Sequence, residues 1–183
     1  MTGIIIQNIV ASTSFETTLD LKSIHERLDE TDYNPETFPG IICRLYKPKC
    51  TMLIFNNGKI VCTGAKKISD AQQSINKLGI TLVKTYPDID KNPKIKIQNI
   101  VGTFDIGSEL NPTRIALGFG LDHVEYEPEQ FPGLIFRMDE PKVVLLLFAS
   151  GKIVVTGGKS IKDMEQAVEN IRKLLTSGGF LSK

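Results

Sequence analysis

Four phenylalanines in this chain are placed in a way that folding alone does not explain. Phe38 and Phe55 stand seventeen residues apart, and Phe131 and Phe148 repeat that spacing. A core position is the ordinary fate of phenylalanine, but Phe38 and Phe131 each precede Pro-Gly in loop-forming sequence, where burial is not assured. Cations cluster around them. Thr37–Ser69 has no acidic residue and carries Arg44, Lys47, Lys49, Lys59, Lys66 and Lys67, for +6. Gln130–Lys162 carries Arg137, Lys142, Lys152, Lys159 and Lys162 against Asp139 and Glu140, for +3. Acidic residues gather instead in Glu16–Glu36 and Glu109–Glu129. A charge run is most often a solvated face. A basic rim around an apolar, Thr/Asn-dotted surface has a more specific chemistry. Cations neutralise phosphates, and apolar wedges enter between base steps from the minor groove. The floor of that groove presents sugar edges and A·T acceptors but little donor/acceptor code.

The groups that would support catalysis are poorly placed. His25 and His123 occupy non-equivalent positions and have no cysteine or carboxylate at metal-ligand spacing, so a helix-surface role is the simpler reading. Cys43, Cys50 and Cys62 correspond to Phe136, Val143 and Val155 in a second copy of the same pattern, which reads as burial and not as a metal set or nucleophile. Gly158-Lys159-Ser160 mimics the end of a phosphate loop, but the required earlier glycine is Ile153 and the match fails. No enzyme, metal or cofactor is expected.

The elements that must position these residues come in duplicate. Gln7-Asn8-Ile9-Val10 returns as Gln98-Asn99-Ile100-Val101, and Tyr33–Gly40 returns as Tyr126–Gly133. Gly58–Gly64 returns as Gly151–Gly157. The offset grows from 91 to 93, which places two extra residues near Gly118–Asp122. Roughly half the positions match between 33–67 and 126–160, so two fused halves, 1–91 and 92–183, are the natural reading. Each half opens with an apolar stretch (Ile4–Ala11, Ile95–Gly102) and a brief helix. Leu21, Ile24 and Leu28 share one face of the first such helix; Asn111 is the N-cap of the second and Pro112 its first residue. Three strands follow in each half: Ile41–Tyr46, Cys50–Asn56 and Lys59–Thr63, then Leu134–Asp139, Val143–Ala149 and Lys152–Thr156. Asn57-Gly58 and Ser150-Gly151 are hairpin turns. A longer helix closes each half, on the stripes Ile68, Ala71, Ile75, Leu78 and Ile161, Met164, Val168, Ile171, Leu175. Tyr86–Pro93 is the linker. The class is α+β, with helices on one face of an antiparallel sheet.

Such a sheet should alternate apolar and polar residues, yet these strands are apolar on both faces. Cys50, Met52 and Ile54 oppose Thr51, Leu53 and Phe55; Val143, Leu145 and Leu147 oppose Val144, Leu146 and Phe148. Val61, Thr63, Val154 and Thr156 lie on one face, and Ile60, Cys62, Ile153 and Val155 on the other. An obligate dimer or sandwich core and a large binding surface both fit the alternation. The distribution of charge favours the second.

The 183 residues are 41% hydrophobic and 23% charged, an ordinary globular composition that excludes disorder, collagen and coiled coil. The longest apolar run, Val143–Ala149, is far short of the ~20 residues of a membrane helix, so no membrane partner is expected. Met1-Thr2-Gly3 followed by three isoleucines has neither the basic start nor the cleavage site of a signal peptide, and a reducing interior is the expected setting for three cysteines. The 22 basic and 21 acidic side chains leave a net charge of only +1. That average hides a basic rim and separate acidic patches.

Taken in register, the motifs Gln-Asn-Ile-Val, Tyr-x-Pro-Glu-x-Phe-Pro-Gly, Leu-x-Phe-x-x-Gly-Lys and Thr-Gly-x-Lys, each present twice, resemble the TATA-box-binding protein family across nearly the whole chain. That family is itself a standard example of minor-groove kinking by apolar wedges. The resemblance implies a saddle: a ten-stranded antiparallel curved sheet, concave on DNA, with four helices on the convex face and Thr31–Asn34 and Val124–Glu127 as the fifth strands. It implies that Phe38, Phe55, Phe131 and Phe148 intercalate, and that Asn8, Asn99, Thr63 and Thr156 hydrogen-bond base acceptors. Val10, Val101, Leu53, Leu146, Val61 and Val154 would line the groove floor. Arg44, Arg137, Lys49, Lys142, Lys59, Lys152, Lys66 and Lys159 would contact phosphates. Glu127, Glu129 and Gln130 match where the family receives transcription factor B, ahead of RNA polymerase. Gln130 and Phe38-Pro39-Gly40 depart from the leucine and Phe-Ala-Ala of eukaryotic members and favour an archaeal type. An archaeal chain would work in the cytoplasm on the nucleoid, a eukaryotic one in the nucleus. Homodimerisation through the apolar face of the DNA-free protein is a further expectation. A half-fold interaction module without promoter specificity is the alternative, and the paired loop phenylalanines separate the two.

Overall fold

The computed structural model describes residues 3–120 and 122–181. Met1, Thr2, Leu121, Ser182 and Lys183 lie outside the described residues, so the site of the two-residue excess at Gly118–Asp122 is only partly covered. The first half runs β1 (Ile5–Ser14), α1 (Leu21–Arg27), β2 (Thr31–Asp32), β3 (Gly40–Tyr46), β4 (Lys49–Phe55), β5 (Lys59–Ala65) and α2 (Ile68–Leu82). The second runs β6 (Lys96–Asp105), α3 (Pro112–Phe119), β7 (Val124–Glu125), β8 (Leu134–Met138), β9 (Val143–Leu147), β10 (Lys152–Gly158) and α4 (Ile161–Ser177). The expected class holds: two repeats, a ten-stranded antiparallel sheet and four helices.

The folded chain divides into two compact units, Asn8–Gln98 and the residues from Asn99 onward together with those up to Gln7. The division falls inside β1 and β6 and not in the linker. In the first unit the strand order is β2-β3-β4-β5-β1, with the opening residues of β6 beyond; in the second it is β7-β8-β9-β10-β6, with the opening residues of β1 beyond. Gln98 Nε2 accordingly donates to Ser12 Oγ (2.8 Å) in one unit, and Gln7 Nε2 to Thr103 Oγ1 (3.0 Å) in the other.

Local chemistry accounts for most element boundaries. Asp20 caps α1 by accepting from Ser23 N (3.2 Å), and Asn111 caps α3 by accepting from Arg114 N (3.0 Å) ahead of Pro112. Ser160 and Asp163 form a full capping box at α4. The glycines of the two hairpins do more than turn the chain. Gly58 (φ +83°) and Gly151 (φ +89°) lie against the backbone of Thr17 and Ser108, where a Cβ would collide with a carbonyl oxygen. Phe15 N and Ile106 N donate to their carbonyls, both at 3.0 Å, which pins each hairpin to the segment after the repeat's first strand.

Most strand boundaries shift by one or two residues from those expected, and two sets of shifts have a clear cause. β1 and β6 run three residues further than the apolar stretches, because Ser12–Ser14 and Thr103–Asp105 still pair with β5 and β10. The fifth strands stop after two residues, as Pro35 and Pro128 follow and the chain enters a tight turn.

Within each unit the helices cover one sheet face. Met52, Ile54, Ile60 and Cys62 are at most 1% exposed beneath α2, with Ile75 also buried. Leu145, Leu147, Ile153 and Val155 are fully buried, as are Met164, Val168, Ile171 and Leu175 of α4. The alternate residues remain half-buried: Leu53, Val61, Leu146 and Val154. Adjacent leucines on β9 therefore give a direct test. Leu145→Ala should lower unfolding free energy by about 2–5 kcal/mol in urea titrations, and Leu146→Ala by well under half as much. Equal losses would contradict the assignment of faces.

Candidate nucleic-acid interface

Strand register arranges the side chains of each open face in rows. In the first unit, Ile42, Leu53, Val61 and Ser12 lie across β3, β4, β5 and β1, and Arg44, Thr51 and Thr63 form the adjacent row. In the second, Ile135, Leu146, Val154 and Thr103 match the first row, and Arg137, Val144, Thr156 and Val101 the other. Val10, beside the bulge that separates Ile9 from Ala11, is half-buried like Val101. All six expected floor residues, Val10, Leu53, Val61, Val101, Leu146 and Val154, are thus half-buried on their own units. Ile42 and Ile135 belong to the same faces and were not expected there. Their signal is the pairing with Leu53 and Leu146, which single-strand alternation does not contain. The rows differ most at Thr51, whose counterpart is Val144.

Asn8 and Asn99 are held by their own turns. Gly64 N donates to Asn8 Oδ1 and Gly157 N to Asn99 Oδ1, each at 2.7 Å, and both glycines have φ near +90° (+88° and +96°). Those backbone donors fix which end of each amide is oxygen. Asn8 Nδ2 then donates to Thr63 Oγ1 (3.4 Å) and Asn99 Nδ2 to Thr156 Oγ1 (3.3 Å). The groups left over in each unit are one amide proton and one hydroxyl proton. That is a pair of donors, suited to a surface made of acceptors, as the minor-groove edge of A·T pairs is.

The phenylalanines meet in pairs. Phe38 and Phe55 have ring centroids 5.8 Å apart at 60°, and Phe131 and Phe148 5.9 Å apart at 70°. Phe131 is 39% exposed, and the other three are intermediate. A tight turn presents each loop member: Phe38 N donates to Asn34 O and Phe131 N to Glu127 O, both at 2.9 Å. The glycine after each Phe-Pro lies beneath the ring pair, so close that a Cβ at Gly40 or Gly133 would touch both rings. The rings form edge-to-face apolar tips at the hairpin ends and not part of a core.

Charge surrounds these faces. Lys49, Lys59, Lys66, Lys142, Lys152 and Lys159 are exposed. Arg44 and Arg137 are also exposed and lie in ion pairs: Arg44 Nη1 lies 2.6 Å from Asp32 Oδ2, and Arg137 Nη2 3.7 Å from Glu125 Oε2. The hydrogen bond and charge of Asp32 push the Arg44 pKa further up. Neither carboxylate was expected at the site. Glu127, Glu129 and Gln130 are exposed on the turn that presents Phe131.

The remaining candidates have structural roles. His25 Nδ1 lies 2.7 Å from Thr31 Oγ1, linking α1 to β2, and His123 Nδ1 lies 3.9 Å from Asp139 Oδ2. Cys43, Cys50 and Cys62 are buried. The hydrogen bond to Cys50 and then burial push the Cys62 thiol up, and burial followed by Cys50 does the same to Cys43. Ser160 is consumed by the α4 cap. Among the described residues no three His, Cys, Asp or Glu side chains cluster to hold a metal, and no helix is long and apolar enough to cross a membrane.

Comparison with known proteins places this arrangement. The family model for transcription factor TFIID, or TATA-binding protein, matches residues 3–85 and 94–177, one match per repeat. The chain is 51% identical over 176 residues to TATA-box-binding protein 2 of Haloferax volcanii, covering 96% of this chain and 95% of that one. It is 50% identical over 181 residues to the TATA-box-binding protein of Picrophilus torridus, covering 99% and 98%. The solved structure of Methanococcus jannaschii TBP superposes with a TM-score of 0.85 at 46% identity, over 95% of this chain and 98% of that chain.

Proposed function

The chain belongs to the TATA-binding protein family, as an archaeal-type member, and from that premise we propose that it is a general transcription factor that binds the TATA box through the minor groove and bends it. The observation that carries this reading is the uncovered face of each unit, which combines an apolar floor, two spare donors, a ring pair and exposed cations. Phe38 with Phe55 and Phe131 with Phe148 enter between base steps and unstack them, at a cost of about a few kcal/mol per step. The widened groove then covers Val10, Leu53 and Val61, and Val101, Leu146 and Val154, which offsets that cost. Asn8, Thr63, Asn99 and Thr156 donate to adenine N3 and thymine O2; a guanine amino group would face them with another donor. Arg44, Lys49, Lys59 and Lys66, with Arg137, Lys142, Lys152 and Lys159, neutralise phosphates and add affinity that depends on salt and not on sequence. Preference for TA steps follows from their low deformation energy.

Glu127, Glu129 and Gln130 receive transcription factor B, and through it RNA polymerase, on the turn behind Phe131. This work is done on the nucleoid in the cytoplasm. Without DNA the same apolar faces are open to a second copy of the chain.

Mobility-shift titrations test the core of the proposal: A·T-rich promoter duplex should bind more tightly than G·C-rich duplex and show a bend by circular permutation. Equal affinities, or no bend, would overturn it. Phe148→Ala should reduce the bend more than Lys152→Ala does, whereas Lys152→Ala should lower the slope of log K against log salt by about 0.9. Glu129→Arg should leave duplex binding intact while weakening recruitment of transcription factor B in a supershift assay. Loss of duplex affinity in that variant would refute the assignment of Glu129.

A further inference from the structure

Both units carry an ion pair on the face proposed to meet DNA, built from equivalent positions with different acids. Asp32 stands opposite Ile42 in the ladder of β2 and β3, and Glu125 stands opposite Ile135 in that of β7 and β8. Residues directly opposite share a sheet face. Ile42 and Ile135 pair in turn with Leu53 and Leu146, so Asp32 and Glu125 lie on the open side and not among the helices. Arg44 and Arg137 are two residues further along the same strands, hence on the same face. The arginine backbones are fixed independently: Arg44 N donates to Glu30 O (3.0 Å) and Arg137 N to His123 O (2.8 Å). The carboxylates are therefore not needed to place the strands that bear the arginines. What they engage is the guanidinium: Asp32 accepts a hydrogen bond from Arg44 Nη1, and Glu125 stands at ion-pair distance, 3.7 Å, from Arg137 Nη2.

We propose that Asp32 and Glu125 are intramolecular competitors of phosphate, holding Arg44 and Arg137 in ion pairs that the DNA backbone must displace. This rests on the reading of those arginines as phosphate contacts. A phosphate reaching either guanidinium meets a carboxylate already seated on it, and must break that pair or accept a like charge beside it. In either case the arginine adds less to the count of neutralised phosphates than its charge suggests, and fewer counterions are released on binding. The two arginines thus act as conditional contacts. The restraint applies to any duplex. It is read most cleanly on G·C-rich DNA, where charge supplies nearly all of the affinity and the apolar floor little.

The experiment compares Asp32→Asn, Glu125→Gln and the double variant with the parent chain on G·C-rich and A·T-rich duplexes across a salt series. All four side chains of the two pairs are exposed, and thermal melting checks that the variants fold. The expected result is tighter binding at low salt, roughly two- to fivefold per site, the range for releasing an exposed ion pair. The slope of log K against log salt should steepen by up to about 0.9 per site. Unchanged affinity and slope would overturn the proposal. So would weaker binding, which would make the carboxylates supports of the arginines. Arg44→Gln and Arg137→Gln separate two kinds of failure. If they weaken binding while the acid variants change nothing, competition alone is wrong. If they leave binding and slope unaltered, the phosphate assignment of these arginines fails, and the proposal with it.

Discussion

An antiparallel sheet whose strands are apolar on both faces needs cover on both, and in each unit of this protein the helices supply it on one. Every other feature of the interface follows from that imbalance. Leu145 and Leu146 are neighbours of one residue type on one strand, yet the first is fully buried and the second is not. A face left this way must be specified by what rims it. Here, in each unit, the rim is cationic, one end carries a phenylalanine pair, and the polar members have had their acceptors used up by their own turns. A ligand for such a face must be long, anionic at its edges, apolar or stackable within, and rich in acceptors. The minor groove of A·T-rich DNA meets all four conditions, whereas another protein surface would meet the first two with difficulty.

The repeat makes this arrangement economical in sequence. The Gly-Lys hairpin sets φ at Gly58 and Gly151 and docks each turn on the segment after the repeat's first strand. The Thr-Gly step sets φ at Gly64 and Gly157 and thereby aims a backbone donor at Asn8 and Asn99. Glycines that look like turn residues thus orient the amides that would read bases. The Phe-Pro-Gly motif likewise leaves space beneath each ring pair. Asp32 and Glu125 temper the rim, so that its cations are not all equally available.

Much of the fold was legible because it is encoded locally. Asn111-Pro112 starts α3 where a cap and a first-turn proline should, and the 3,4 spacing of Met164, Val168, Ile171 and Leu175 gives the buried face of α4. Of the candidate site, the placement of residues carried by the duplicated motifs on each open face could be read, since two copies in register say more than either alone. Features that depend on partner strands could not. Ile42 and Ile135 join the open face through their pairing with Leu53 and Leu146, and the acids reach their arginines only because two-residue strands bring them alongside. The unit boundary within β1 and β6 was hidden for the same reason: Gln7 bonds to Thr103 and Gln98 to Ser12, partners that no single strand's pattern names.

The spare donors and apolar floor of each open face suit the minor groove and not the major. Inosine·cytosine pairs keep the minor-groove edge of A·T, without the guanine amino group, while changing the major-groove edge. The direct measurement is the dissociation constant for a TATA duplex in which every A·T pair is replaced by I·C, against the parent duplex and one substituted with G·C. The I·C duplex should bind within a few-fold of the parent, and the G·C duplex far more weakly. An I·C duplex bound as poorly as G·C would contradict minor-groove reading.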